Sequence, residues 1–353
     1  MRMKKASHNL DRLFNSLSRN LPLIVLGLSI LALLVYDDYP PPIPDSDSTN
    51  SIPPDFIVRG VVIPNNLNFC GERIPISNLE VRKNLTRELL QNAFDQPKTL
   101  SLNKRANRYF KIIEPILKKN GVPDDFKYVA IVESGFTNSP NDSNACGFWG
   151  LMIPVAQSYG LEINDEVDER FNIEKSTEAA CKCFKDSYKK YKSWTLAAAA
   201  YDMGTGALDN QIEKQKTSDF FSLNLNAETS RYIYRLLAFK EVISSPEDFG
   251  YKLKANELYY PIPTYTVKID SSISNLSAFA IANHSNYQIL KAMNPWLLKN
   301  SLTNPDHKEY EIIFPKKGVK LYGMDELDSA IFVVPSIPDS LKKTKSDSVV
   351  TSY

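Results

Sequence analysis

The chain has 353 residues, 43% hydrophobic and 24% charged, as in an ordinary globular protein of about two domains. Its net charge of +1 gives no basic surface large enough for nucleic acid, so no nucleic-acid partner is expected. The three histidines are His8, His284 and His307, so none lies between Phe56 and Leu253. A Ser-His-Asp triad, a Cys-His pair and a histidine metal site are therefore excluded from that region, where catalysis has to use carboxylates, tyrosines or cysteines.

The first 36 residues predict a membrane anchor. Residues 1–20 are basic and precede an uncharged apolar run from Leu21 to Tyr36. The run is slightly shorter than the roughly 20 residues of a full span, but no A-x-A cleavage site follows it. We expect an uncleaved signal anchor over 21–36, with residues 1–20 in the cytoplasm and the remainder exported. A cleaved signal peptide is the alternative.

The anchor is followed by a predicted linker and a helical extension. Residues 37–55 are rich in proline, serine and aspartate, which predicts an extended linker that holds the next domain away from the membrane. Within the extension, 56–105, Ser77 to Glu80 form a predicted capping box at the start of a helix. The apolar face of that helix carries Val81, Leu85 and Leu89.

Residues 106–256 predict a mainly helical domain with no long strand. One helix stops at Asn120-Gly121, with Pro123 beyond it. Its apolar face carries Phe110, Ile113 and Leu117. Helical composition or periodicity also marks Thr177 to Tyr191, Trp194 to Tyr201 and Glu228 to Val242.

The cysteines are Cys70, Cys146, Cys181 and Cys183. Cys181 and Cys183 are two residues apart on a predicted helix, so they point to different faces and suit neither a mutual disulfide nor a zinc pair. We expect buried thiols. The alternative, which an exported compartment permits, is a bridge from Cys70 or Cys146 to one of the helical pair.

The pattern changes after Pro261. Tyr265 to Ile269 alternates as a strand and Glu311 to Phe314 reads as a return strand, with two short helices near 276–282 and 287–293 between them. Residues 262–316 therefore predict a separate α+β module of β-α-α-β order. The serine- and lysine-rich tail, 317–353, is predicted to be mostly disordered.

Glu133 is the candidate catalytic residue. It follows the apolar run Tyr128 to Val132 and precedes Ser134-Gly135. An apolar pocket raises the pKa of a carboxyl, and the negative end of a helix raises it further. Glu133 could then keep its proton near neutral pH and act as a general acid. The alternative is a solvated residue at the end of a buried helix.

A series of short motifs follows Glu133 in a fixed order. They are Ala145 to Pro154, Tyr159 to Leu161, Val167 to Arg170, Ala198 to Gly204 and Glu228 to Tyr232. From about Phe69 to Leu253, this order and spacing resembles the soluble-lytic-transglycosylase domain of membrane-bound peptidoglycan lytic transglycosylases that carry LysM modules. The C-terminal module resembles LysM, a peptidoglycan-binding unit, although the usual Gly-Asp-Thr-Leu opening is absent.

The resemblance implies a mainly α, lysozyme-like domain with a groove for glycan strands. Glu133 would be the single acid/base of a lyase that needs no cofactor. It would protonate the glycosidic oxygen between MurNAc and GlcNAc and then take the proton of the MurNAc C6 hydroxyl, which closes a 1,6-anhydro ring on C1. The substrate N-acetyl group can assist in place of a second carboxylate. The implied location is the cell envelope, with the catalytic domain in the periplasm.

The resemblance also implies a set of substrate-binding residues, which are Ser134, Phe148, Trp149, Gly150, Met152, Tyr201, Asp202, Glu228 and Tyr232. Stacking on a sugar and packing in the core are equal alternatives for the apolar residues of the 145–154 motif. Tyr201 could line the site or pack as a core aromatic. Glu228 and Tyr232 share a helix face, where a structural hydrogen bond and a substrate contact are both open. Asp168 and Arg170 are expected to be structural, through a salt bridge or a turn that fixes the loop.

Two positions depart from the family pattern. Gly150 stands where glutamine is usual, and Asp202 stands where asparagine is usual. The first change removes hydrogen bonds to sugar. The second adds a carboxylate near Glu133, which would raise the pKa of Glu133 further or favour water as the acceptor. A weak or inactive peptidoglycan-binding scaffold and a hydrolytic muramidase are therefore kept as alternatives to the transglycosylase.

Overall fold

The computed structural model describes residues 60–138 and 145–319. The predicted anchor and linker, and nearly all of the predicted tail, lie outside these ranges. Within them the protein is mainly α-helical, as predicted, with two small antiparallel sheets. No helix in the described part is long and apolar enough to cross a membrane.

A short hairpin opens the described chain. Strands β1 (Asn68–Phe69) and β2 (Glu72–Arg73) pair antiparallel. Helix α1 (Leu79–Phe94) follows, and the side chain of Asn78 accepts hydrogen bonds from the backbone of its first turn. The predicted N-cap, Ser77, is wrong by one residue, because Asn78 is the residue that satisfies the free N–H groups.

Helix α2 (Gln96–Asn120) ends as predicted, since Gly121 takes the left-handed conformation that closes a helix. The predicted domain boundary between residues 105 and 106 lies inside this helix. The next helices are α3 (Lys127–Ser134), α4 (Ile153–Ser158), α5 (Ile173–Tyr191), α6 (Trp194–Met203), α7 (Thr205–Gln215) and α8 (Ala227–Ser244).

The core of the helical domain forms where α3 and α6 pack against α8, and α5 against α2 and α6. Four successive alanines of α6, Ala197 to Ala200, are almost fully buried and allow close approach of neighbouring helices. The first turn of α6 is capped from a distance, because the Glu72 carboxylate accepts from the backbone N–H of Trp194 and Thr195. The hairpin therefore fixes the helix that carries Tyr201 and Asp202.

The C-terminal module has the predicted β-α-α-β order. Its elements are β3 (Thr264–Ile269), α9 (Leu276–Ala282), α10 (Tyr287–Met293) and β4 (Tyr310–Pro315). The strands pair antiparallel from Thr264 with Pro315 to Ile269 with Tyr310. Helix α10 packs on β4 through buried residues such as Leu290, and α9 packs against α10.

The helical domain and the module share a second core. Cys146, Val167 and Phe171 of the helical domain pack in one cluster with Trp296 and Leu297 of the module. Beside it lies an open cavity of about 410 Å³, and Glu133 is not among the residues that line it. The four cysteines are free thiols rather than bridged, as predicted, although fewer of them are buried than the expected three or four. Two are buried and two are partly buried.

Candidate active site

Glu133 lies in the last turn of α3, and its position follows from how that helix is packed. Residues Tyr128 to Ile131 are buried, so the helix is anchored along its first turns. Gly135 ends it at a φ of 58°, with its N–H bonded to the carbonyl of Ile131 at 2.9 Å. The side chain of Glu133 remains half-buried at the rim of the core.

The Glu133 carboxyl has the proton affinity expected of a general acid. Burial raises its pKa from an ordinary 4.5 to about 7, and the neighbouring charges of Asp202 and Glu228 act in the same direction. The hydroxyl of Tyr232 opposes them, because it donates to Oε1 at 2.6 Å and so favours the ionised form. The carboxyl can therefore hold or release a proton near neutral pH.

Tyr232 belongs to α8 and is 1% exposed. Its contact with Glu133 spans 99 residues of sequence and joins α3 to α8. Tyr232 thus makes a hydrogen bond to the candidate acid itself, and its contact with substrate stays a prediction. Glu228, one turn earlier in α8, is exposed.

Asp202 lies at the end of α6, where it is half-buried and hydrogen bonded to Thr229 of α8. Burial raises the pKa of this carboxyl, and the bond to Thr229 lowers it. The charge of Asp202 reaches Glu133 and raises the pKa of Glu133, in the direction expected from the sequence.

The loop between α3 and α4 places Gly150 beside the acid. Cys146 and Leu151 pair as an isolated bridge, and Gly147 and Gly150 turn the chain between them at positive φ. At Gly150, where φ is 58°, an added Cβ would lie 2.6 Å from Oε2 of Glu133. The carboxyl thus packs directly on the backbone of this loop.

Trp149 and Phe148 are core residues. Trp149 is fully buried and its indole N–H donates to Thr177 at 2.8 Å, while Phe148 is 6% exposed. Both side chains pack in the core of the helical domain, and contact with a sugar ring stays a prediction. Met152 is different, since it is 49% exposed at the start of α4 and can offer an apolar contact.

Two hydroxyl groups form hydrogen bonds to the backbone of the loop between α3 and α4. Tyr201 donates to the carbonyl of Trp149 at 2.6 Å. The hydroxyl of Ser134 lies 2.9 Å from the carbonyl oxygens of Ala130 and Phe148, so it ties the end of α3 to the loop. Both residues hold the backbone around Glu133, and neither hydroxyl contacts its carboxyl.

The expected salt bridge between Asp168 and Arg170 is present. Both side chains are 2% exposed, and the guanidinium Nη2 lies 2.7 Å from Oδ2 of Asp168. The same guanidinium donates to the carbonyl of Leu151 at 3.0 Å, so the pair supports the loop that carries Gly150.

Sequence reasoning missed Arg235. This residue lies one turn after Tyr232 on α8, with its guanidinium 5.7 Å from the centre of the Tyr232 ring. Its positive charge lowers the pKa of both Glu133 and Asp202. The spacing of three residues from Tyr232 could have revealed it, because such residues share a helix face.

Comparisons with known proteins agree with this arrangement. Residues 110–224 match the family described as the transglycosylase SLT domain, and residues 265–318 match the soluble lytic transglycosylase C-terminal LysM-like domain. The chain is also 27% identical over 198 residues to membrane-bound lytic murein transglycosylase D of Escherichia coli K12, and equally so to that of Escherichia coli O6:H1. The match covers 54% of this chain and 43% of each relative. The chain therefore contains an SLT transglycosylase domain, of the lysozyme-like fold, followed by a C-terminal LysM-like domain, and it is homologous to membrane-bound lytic murein transglycosylase D.

Proposed function

We propose that the protein is a peptidoglycan lytic transglycosylase, which cleaves the MurNAc-β-1,4-GlcNAc bond and leaves a 1,6-anhydro-MurNAc end. The observation that carries the proposal is the state of Glu133 within an SLT domain. Its carboxyl is half-buried, has a pKa raised to about 7 and is held by Tyr232 at 2.6 Å. A carboxyl with this pKa can donate and recover a proton near neutral pH.

In the first step the protonated Glu133 gives its proton to the glycosidic oxygen, and the bond from that oxygen to C1 of MurNAc breaks. Positive charge develops at C1, where the carbonyl oxygen of the substrate N-acetyl group can stabilise it. The GlcNAc side leaves with a new hydroxyl. Glu133 is then ionised, and the Tyr232 hydroxyl bonded to Oε1 stabilises this carboxylate.

In the second step the ionised Glu133 takes the proton of the MurNAc C6 hydroxyl. The freed oxygen forms a bond to C1 and closes the anhydro ring, and the carboxyl returns to its protonated state. Tyr232 and Arg235 favour the ionised form, whereas burial and Asp202 favour the protonated form. This balance suits a group that has to act first as acid and then as base.

We further propose that the LysM-like module holds glycan strands near the helical domain. Support comes from the family match at residues 265–318 and from the core that the module shares with the helical domain. The proposed setting is cell-wall remodelling in the cell envelope, with the N-terminal segment as a membrane anchor and the catalytic domain in the periplasm. The relatives are named membrane-bound, which supports this location.

A hydrolytic muramidase is a second candidate because of Asp202. This half-buried carboxylate acts electrostatically on Glu133, and a second carboxylate near the acid could activate a water in place of the C6 hydroxyl. The two reactions share the first step and differ in the acceptor. Their products differ in mass by one water.

The test is mass spectrometry of purified peptidoglycan digested with the protein and with Glu133→Gln. Gln keeps the size of the side chain but has no proton to donate. Anhydro-muropeptides that form with the wild type and disappear with Glu133→Gln are expected. Reducing-end products would show the muramidase. No product from the wild type, together with retained binding to peptidoglycan in a pull-down, would favour the scaffold and refute the enzyme.

A further inference from the structure

The Glu133 carboxyl is in contact with the protein at both of its oxygens. Oε1 accepts from the Tyr232 hydroxyl at 2.6 Å, and Tyr232 is 1% exposed in the packed face of α8. Oε2 lies over the α-carbon of Gly150, so close that a Cβ there would be 2.6 Å away. The acid seat, as we name the Gly150 backbone together with the Tyr232 hydroxyl, therefore contacts both carboxyl oxygens of Glu133.

Any side chain at position 150 would collide with this carboxyl. The added Cβ would also lie 3.2 Å from Cβ and 3.4 Å from Cδ of Glu133, so the contact extends along the acid. Ordinary van der Waals contact begins near 3.4 Å, so Oε2 would have to move by about 0.8 Å (3.4 minus 2.6). Because Oε1 of the same carboxyl accepts from Tyr232 at 2.6 Å, such a movement would disturb that hydrogen bond.

We infer that Gly150 is a positioning residue, whose missing side chain lets the Glu133 carboxyl lie against the loop backbone within reach of Tyr232. The inference rests on the proposed function for its meaning in catalysis. Glycine in place of the usual glutamine therefore has two effects at position 150. It removes a side chain that could contact sugar, and it leaves room for the Glu133 carboxyl, which a glutamine side chain would displace in this arrangement.

Besides the Tyr232 hydroxyl of the seat, other titratable or charged groups on α6 and α8 act on Glu133. They are Tyr201, Asp202, Glu228 and Arg235. Burial is the largest cause of the raised pKa. A carboxyl forced out of the seat gains solvent, so its pKa should fall toward the ordinary 4.5 even though the hydrogen bond from Tyr232 is lost.

The experiment compares Gly150→Ala with Gly121→Ala. Gly121 is a matched control because its φ is 68°, against 58° for Gly150, and an added Cβ there meets nothing within 4 Å. Both variants suffer the same backbone penalty for alanine at positive φ, but only one collides with the acid. The readouts are the pH dependence of kcat/KM for anhydro-product formation and the ¹³C titration of the Glu133 carboxyl, assigned with Glu133→Gln.

For Gly150→Ala we expect the pKa to fall by at least about one unit and kcat to fall roughly 10- to 100-fold. KM should stay within about threefold, since a displaced acid weakens the transition state more than substrate binding. Gly121→Ala should match the wild type in both readouts. A midpoint for Gly150→Ala that equals that of the wild type, or lies above it, would overturn the inference.

The titration needs no turnover, so it separates this inference from the proposed function. A wild type without activity whose carboxyl titration still shifts in Gly150→Ala would refute the function and keep the seat. If Gly150→Ala is too unstable to titrate, its stability cost is measured again in a Glu133→Ala background. That change removes two of the three contacts, so a cost that drops to that of Gly121→Ala supports the seat, and an unchanged cost refutes it.

Discussion

Removing the Tyr232 hydroxyl should move the pH profile of the enzyme to the alkaline side. Tyr232→Phe keeps the buried ring and deletes only the donor that lies 2.6 Å from Oε1 of Glu133. That bond favours the ionised carboxyl and lowers its pKa, whereas burial, the largest cause, raises it. With the donor gone, the burial effect is less opposed.

The size of the shift follows from the strength of the bond. A hydrogen bond to a charged group contributes about 1.5–3 kcal/mol, and one pKa unit corresponds to about 1.4 kcal/mol. The Glu133 pKa should therefore rise by roughly one to two units from its value of about 7. Because the first step needs the protonated acid, activity should persist to higher pH, while the second step, which needs the ionised form, should slow.

The assay is the initial rate of anhydro-muropeptide formation from purified glycan strands, measured across pH at low substrate so that kcat/KM reports the free enzyme. Tyr251→Phe is the control. It deletes another buried tyrosine hydroxyl, which donates to the carbonyl of Ala93 rather than to an acid. An alkaline limb that stays in place in Tyr232→Phe, or that moves equally in Tyr251→Phe, would refute the reasoning.

Three further predictions concern the same region. Asp202→Asn removes a like charge, so the Glu133 pKa should fall by up to about one unit, seen as an acid shift of the kcat/KM profile; a rise would contradict it. Because the folded pKa of Glu133 lies above its ordinary value, its stabilisation is complete below about pH 4.5 and is lost as pH rises through about 7. Urea unfolding should therefore show that the free energy of unfolding of Glu133→Gln, relative to that of the wild type, rises by roughly 3 kcal/mol from pH 4 to pH 8. If the two proteins had the same dependence of stability on pH, the raised pKa would be excluded. Asp168→Ala should cost about 3–5 kcal/mol because it removes the carboxylate that pairs with the buried Arg170 guanidinium, against less than about 1 kcal/mol for the exposed Glu309→Ala, and equal costs would contradict it.

The sequence was sufficient for the elements whose pattern is local. The end of α2 at Gly121 follows from left-handed geometry, and the β-α-α-β module follows from a change of period after Pro261. The position of Glu133 after an apolar run, together with the ordered motifs that follow it, was enough to single it out as the candidate acid. These features depend on residues that are close together in the sequence, so the sequence alone is enough to predict them.

The remaining features depend on contacts between distant segments. Whether Trp149 faces the core or the solvent could not be predicted from the sequence. It lies in a loop with two positive-φ glycines, where side-chain directions do not repeat at a fixed spacing. The closeness of Gly150 to Glu133 is set by the bridge at Cys146 and by the packing of α3, so no spacing reveals it. The difference between Ser77 and Asn78 as cap depends on one turn of backbone, which is the least predictable part of a helix.

The distance in sequence between Glu133 and Tyr232 also makes the reactive state of the acid a late product of folding. The two residues are 99 positions apart, and α6, which brings Asp202, is itself capped by Glu72 across more than 120 positions. Before α6 and α8 have packed, the Glu133 carboxyl is solvated, has its ordinary pKa of 4.5 and is ionised at neutral pH. A partly folded chain then holds no proton on Glu133 to donate, so the proposed activity would need the packed helices α3, α6 and α8.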